Sequence, residues 1–278
     1  MNKILVPVDF SKHSEYALEV AAAFAKAHNA EILVLHMMGL ADSTFTKVDG
    51  KGVAEAVFHM KLAEKQFASF LDKPYLDGLK ITETVQNYKI FEEVNDLAVS
   101  QGVDLVIMGS HGAKGLKEEF VGSNTERVVR TSQVPVLVVK DNEASKMPKH
   151  IVFACDFKKD NVKAYRDAIP FLEALGAKID LVYVNLPADR FRSSKDIEER
   201  MEDFMGIAEF GKPRHKDDLV ITNGYSIEEG IYEYAQKVGA DALAIPTHGR
   251  RGLSHFFNGS IAESLANHSK LPVYTFKI

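Results

Sequence analysis

The sequence predicts two tandem, doubly wound α/β domains, each a parallel sheet flanked by helices. Three observations lead there. Short apolar runs without helical spacing alternate with helix-patterned segments, the arrangement that puts helices over both faces of a parallel sheet. The same order of segments then recurs in the second half of the chain, and at 278 residues each half is long enough for a core of its own.

In the first half, ILVPV (4–8) reads as a buried strand. Tyr16–His28 follows with Ala17, Leu18, Ala21, Ala22, Phe24 and Ala25 on a helical period. EILVLHMM (31–38) is the second strand, and a long charged helix covers about Val53–Leu71. A strand near Lys80–Gln86 and a helix from about Ile90 to Ser100 come next, before LVIMG (105–109) and VPVLVV (134–139) as the fourth and fifth strands. The two charged helices, at 53–71 and 193–205, read as solvated faces, and the charged stretch 190–216 is the least patterned part of the second half.

The repeat is visible residue by residue. VDLVIMGSHG (103–112) matches ADALAIPTHG (240–249), and GLKEEFVGSNTE (115–126) matches GLSHFFNGSIAE (252–263). VPVLVV matches LPVYTF (271–276), and the starts agree as KILVPVDF (3–10) against HIVFACDF (150–157). A period this long has the size of a domain rather than of a solenoid unit. The polar segment Asp141–Lys149 is the expected linker, which gives domains at 1–142 and 149–278.

Composition narrows the function. A net charge of -5 disfavours a nucleic-acid partner, which calls for a basic face. No run approaches the ~20 apolar residues of a membrane span, and the N-terminal apolar run, cut off by Asp9, is too short for a signal-peptide core. The single cysteine, Cys155, has no partner for an internal disulfide and reads as a small buried hydrophobe. The expectation is a cytoplasmic protein.

Ligands of open α/β sheets bind beyond the carboxyl ends of strands, where strand order reverses. Pro7-Val8-Asp9, Met37-Met38 and Gly109–Gly112 occupy such ends. The last opens a glycine pattern: Gly109, two residues, Gly112, nine residues, then Gly122-Ser123-Asn124 leading into a helix. Glycine-lined turns let backbone N–H groups reach phosphate oxygens, and a helix start adds free N–H groups and the positive end of the dipole.

GSHGAKGLKEEFVGSN (109–124) resembles the nucleotide-binding signature of the universal stress protein family, G-x2-G-x9-G-S/T-N. The VPVDFS start and the VPVLVV finish resemble that family too, and taken as two copies the likeness spans essentially the whole chain. The resemblance implies a Rossmann-like fold of the adenine nucleotide alpha hydrolase-like kind, five parallel strands per domain, and a stress-response regulator that binds ATP or ADP, with Mg2+ as the accompanying ion. It places Pro7, Val8, Asp9 and Met37 at the adenosine end, with Met108, Gly109, Gly112, Gly122, Ser123 and Asn124 completing the cradle. It also implies that the fifth strands of the two domains pair within one chain, and leaves a homodimer open.

The second half departs from the pattern. Pro246 replaces the first glycine, losing both conformational freedom and an N–H, while Ala154 and Cys155 replace Pro7 and Val8. Asp156, Gly249, Gly259 and Ser260 remain, and Arg250 and Arg251 are placed to meet phosphates directly, so a second site is kept as a weaker candidate.

Structural readings stand beside these. Ser123 with Glu126, and Ser260 with Glu263, are capping boxes worth ~0.5–2 kcal/mol without any ligand. Capping accounts for the serines but leaves Gly109 and Gly112 to the phosphate reading, and Asp9 is as good a cap for the first helix as a ribose contact. His111 and His248 sit at matching positions with no visible catalytic partner, and no H-E-x-x-H metal motif is present. A P-loop, an S-G-G-x-D-S loop and the H-I-G-H and K-M-S-K-S motifs are all missing, so a non-enzymatic role is expected ahead of a slow ATPase or a scaffold without nucleotide.

Overall fold

The structure, a computed structural model, describes residues 1–38, 51–86, 92–110, 123–140, 147–212, 218–247, 265 and 269–278. The chain divides into two compact units, Met1–Lys146 and Met147–Ile278.

The first unit runs β1 (Lys3–Val8), α1 (Lys12–His28), β2 (Glu31–Met37), α2 (Lys51–Phe70), β3 (Ile81–Gln86), α3 (Glu92–Ser100), β4 (Leu105–Gly109), α4 (Ser123–Thr131) and β5 (Val136–Val139). Its strands lie in the order β3-β2-β1-β4-β5 and all pair in parallel. β1 and β4 are buried along almost their whole length, which is why they read as unbroken apolar runs rather than alternating ones.

α1 shows how the local sequence sets an element. Ser11 is its N-cap, accepting from the Ser14 N–H at 3.3 Å, and Asn29 ends it in the left-handed conformation with φ 53°. Ala17, Leu18, Ala21, Ala22, Phe24 and Ala25 form the buried face. The small alanines let the helix lie close to the sheet.

The second unit repeats this order: β6 (His150–Ala154), α5 (Val162–Glu173), β7 (Lys178–Asn185), α6 (Ser194–Ala208), β8 (Leu219–Asn223), α7 (Ile227–Val238), β9 (Ala242–Thr247) and β10 (Val273–Lys277). Its sheet runs β8-β7-β6-β9-β10, again parallel. Strand register confirms the internal alignment, because Lys3 pairs with Glu31 and its equivalent His150 with Lys178. α6 is the charged helix read at 193–205, but one of its faces is buried rather than solvated. Ser193 and Asp196 form a full capping box there, and Ile197, Met201, Phe204 and Met205 bury one face.

The copies differ in two ways that matter. α5 begins only at Val162, after a 3-10 turn over Lys159–Asn161, whereas α1 begins at Lys12, the equivalent of Lys159. In β7, Asp180 is 4 % exposed where β2 carries the apolar Leu33. The buried carboxylate takes hydrogen bonds from Tyr234 Oη at 2.8 Å and Lys178 Nζ at 2.8 Å, and contacts His150 Nε2 at 2.7 Å. Burial alone would raise the Asp180 pKa, but these partners outweigh it and hold the carboxyl below its usual range.

Among the described residues no helix is long and apolar enough to cross a membrane.

Candidate functional site

The strand order reverses between β1 and β4 in the first unit, so their carboxyl ends border the switch-point crevice. Pro7 helps to open it. Along β1, Lys3 accepts from the Asp104 N–H on the β4 side while Asn2 accepts from Glu31 on the β2 side. Successive residues of a parallel strand alternate sides, so position 7 faces β4. A proline there has no N–H to offer. The β1–β4 pairing runs only through Ile4 and Leu5, whereas β1–β2 pairing continues to Val8. In the second unit Ala154 stands in place of Pro7, and β6–β9 pairing runs one pair further, to Phe153.

Asp9 lies just past β1, exposed, and its Oδ1 accepts from the Ser11 N–H at 3.1 Å. The expectation that Asp9 caps α1 is therefore corrected, because Ser11 takes that position. Phe10 follows in the left-handed region at φ 63°, a conformation costing a non-glycine residue about 1 kcal/mol. Its ring lies 4.5 Å from that of His36 and 5.1 and 5.5 Å from those of Phe67 and Phe70. His36 in turn bonds through Nδ1 with the Val8 carbonyl at 3.0 Å, tying the end of β2 to β1. Met37, the last residue of β2, sits half-buried beside this pair.

Met108 and Gly109 end β4, both buried, and Gly109 pairs with Val139 of β5. A Cβ at Gly109 would lie 2.6 Å from the His13 carbonyl oxygen and 2.7 Å from its carbon. That close approach gives Gly109 a structural reason which the sequence reading denied it. Thr125 Oγ1, buried in the first turn of α4, donates to the Gly109 carbonyl at 2.8 Å. Ser123 and exposed Asn124 open the same turn. Gly112, Gly122 and the Ser123 side chain lie outside the described residues, as does His111.

Lys140, one residue beyond Val139, escaped the sequence reading. Burial lowers its pKa to about 8. Phe10, His36 and Thr125 were missed as well. Thr125 carried a signal, since its counterpart in the other half is Ala262.

In the second unit Asp156 is taken up by its own neighbours. It accepts from the Lys158 N–H at 3.0 Å and from Asn161 Nδ2, and pairs with Lys158 Nζ at 2.7 Å. Burial pushes the carboxyl up, but the Lys158 and Asn161 bonds prevail and leave it below its usual range. Next to it, burial drives the Cys155 thiol far up, which keeps it protonated and unreactive. At the end of β7, Asn185 bonds the Arg192 N–H at 3.0 Å and the Arg192 carbonyl at 2.9 Å, folding the following segment back onto the strand. Gly249, Arg250, Arg251, Gly259 and Ser260 lie outside the described residues, with His248. Among the described residues no group of acidic, histidine or cysteine side chains is arranged to hold a metal.

The family model described as the universal stress protein family matches the chain twice, over residues 1–140 and 147–277. Universal stress protein MJ0577 of Methanocaldococcus jannaschii is 34% identical over 154 residues, which cover 50% of this chain and 94% of the relative. Universal stress protein YxiE of Bacillus subtilis is 31% identical over 146 residues, covering 50% of this chain and 99% of the relative. Among solved structures, a universal stress protein from Archaeoglobus fulgidus aligns over 99% of this chain and 98% of its own, with a TM-score of 0.63 at 22% identity, a likeness of fold.

Proposed function

The chain belongs to the universal stress protein family, carrying two copies of its domain, and from that premise we propose that the first copy binds ATP or ADP as a cytoplasmic stress-response sensor. The observation that carries this reading is the crevice at Pro7, where the β1 and β4 ladder stops and Asp9, Met37 and Gly109 stand at three adjacent strand ends. Asp9 supplies an acceptor for ribose hydroxyls, while the apolar surface of Met37 suits a base. The start of α4, with Ser123 and Asn124, supplies N–H groups and the helix dipole for phosphates. Gly112 and Gly122 complete the phosphate end by their place in the motif. Mg2+ is expected to arrive with the phosphates, whose oxygens supply most of its ligands.

The second copy does not take nucleotide in this proposal. Asp156 spends its oxygens on Lys158 and Asn161, and Pro246 stands where Gly109 does. Binding then acts by shifting a conformational or association equilibrium, by no more than the nucleotide's differential affinity for the two states. Pairing of β5 with β10 within one chain is part of the same proposal, because each ends its own unit's sheet and is apolar. Val136→Lys tests that pairing, with loosened domains expected and unchanged melting cooperativity counting against it.

The test of nucleotide binding is to denature freshly purified protein and quantify released nucleotide by ion-exchange chromatography. One equivalent per chain is expected, lost in Gly122→Val and kept in Asp156→Ala. Two equivalents would overturn the reading of the second copy. An empty protein that also ignores added ATP would overturn the first.

A further inference from the structure

We propose that Thr125 is a positioning residue for the phosphate end of the first site. This rests on the reading of that site as a nucleotide site. Thr125 is 3 % exposed, and its hydroxyl donates to the Gly109 carbonyl at 2.8 Å. One hydrogen bond thus joins the first turn of α4 to the last residue of β4. The residues on either side of that joint are the ones the motif assigns to phosphate, Gly109 at the strand end and Ser123-Asn124 at the helix start. On its other side Gly109 packs close against α1, where an added Cβ would come within 2.6 Å of the His13 carbonyl oxygen. The Thr125 hydroxyl thus ties the helix start to the strand end.

The second half loses the donor of this joint. Ala262 replaces Thr125 and has no donor, while Pro246 replaces Gly109 and Ile261 replaces Asn124. A threonine kept only to fill space would be served as well by a side chain of the same shape without the hydroxyl. That difference makes the inference testable.

Thr125→Val keeps the shape and removes the donor; Thr125→Ser keeps the donor. Affinities for ATP and for adenosine are measured by titration calorimetry on the full chain, with thermal melting as the check on folding. Thr125→Val is expected to weaken ATP on the order of tenfold, the usual scale for losing one buried hydrogen bond. Adenosine, which does not reach the phosphate end, is expected to bind as in the parent, and Thr125→Ser to restore ATP. Unchanged ATP affinity in Thr125→Val would overturn the proposal, and so would equal losses for ATP and adenosine, or a Thr125→Ser variant as weak as the valine. Hydrogen exchange of the peptide spanning α4 gives an arm free of ligand: Thr125→Val is expected to speed exchange there and not in α1, and no acceleration would also overturn the proposal. A parent protein that binds neither ligand would instead sink the nucleotide reading, leaving the exchange arm to decide the joint.

Discussion

Gly109→Ala is the substitution for which the structure makes the sharpest demand. The new methyl group would lie 2.6 Å from the His13 carbonyl oxygen, 2.7 Å from its carbonyl carbon and 2.9 Å from its Cβ. Gly109 does not occupy the left-handed region, so alanine's own dihedral preferences are satisfied and the whole cost is steric. The obstacle is helix backbone, which cannot rotate away as a side chain would. The first turn of α1 is pinned as well, by Ser11 on the Ser14 N–H and by the Ser14 hydroxyl on the Ser11 carbonyl at 2.9 Å. Over-packing costs typically ~1–3 kcal/mol, and a fixed obstacle puts this case toward ~3. Differential scanning calorimetry suits a chain without tryptophan. The melting temperature should fall by several degrees, since a unit of this size loses roughly 2–5 °C per kcal/mol. A melt indistinguishable from the parent would refute the close approach, and with it the structural account of this glycine.

Three other changes test other parts of the molecule. Gly206 lies inside α6 with nothing within 4 Å of the point a Cβ would occupy and no left-handed φ, so Gly206→Ala should stabilise the second unit by ~0.5–1 kcal/mol, read as a raised melting temperature. The Asp180 carboxyl is held below its usual range, so its stabilisation is complete above about pH 4 and is lost as pH falls through its folded value. The second unit of Asp180→Asn should be weaker than the parent at pH 7 by ~1–3 kcal/mol, with the gap narrowing below about pH 4 in acid unfolding followed by circular dichroism. Lys140 has the opposite sign: its folded pKa is lowered from 10.5 to about 8, so the penalty for its charge is full below pH 8 and fades toward pH 10.5. Lys140→Met should therefore raise the first unit's melting temperature at pH 7, and the gain should vanish near pH 10.5; a gain independent of pH would point to packing instead.

The strands of the first unit were legible because buried parallel strands leave unbroken apolar runs, so ILVPV and LVIMG fall within a residue or so of β1 and β4. The start of α4 at Ser123 was equally visible. Less visible were features that depend on what a residue meets across the fold. Asp180 sits in the run KIDLVYVN, where nothing local says that Tyr234, 54 positions later, will supply its hydrogen bond. The cap of α1 went to Ser11 rather than Asp9, a choice made by two residues of loop geometry. Gly109 was legible as a glycine that mattered, but its contact with His13 needs the packing of α1 on β4. Thr125 was legible only as a mismatch with Ala262, and its partner only in three dimensions.

The seat of Gly109 on His13 sets how near the start of α1 comes to the end of β4. Because an added Cβ would come within 2.6 Å of the His13 carbonyl oxygen, only a glycine at the end of β4 lets the helix start this close. From that seat α1 runs along 17 residues, about 25 Å, to Asn29 at the amino ends of the strands. In the other copy the 3-10 turn of Lys159–Asn161 occupies this position, and Pro246 stands in place of the glycine. The two copies thus set the start of the helix that follows their first strand at different places, three residues apart in the aligned sequence.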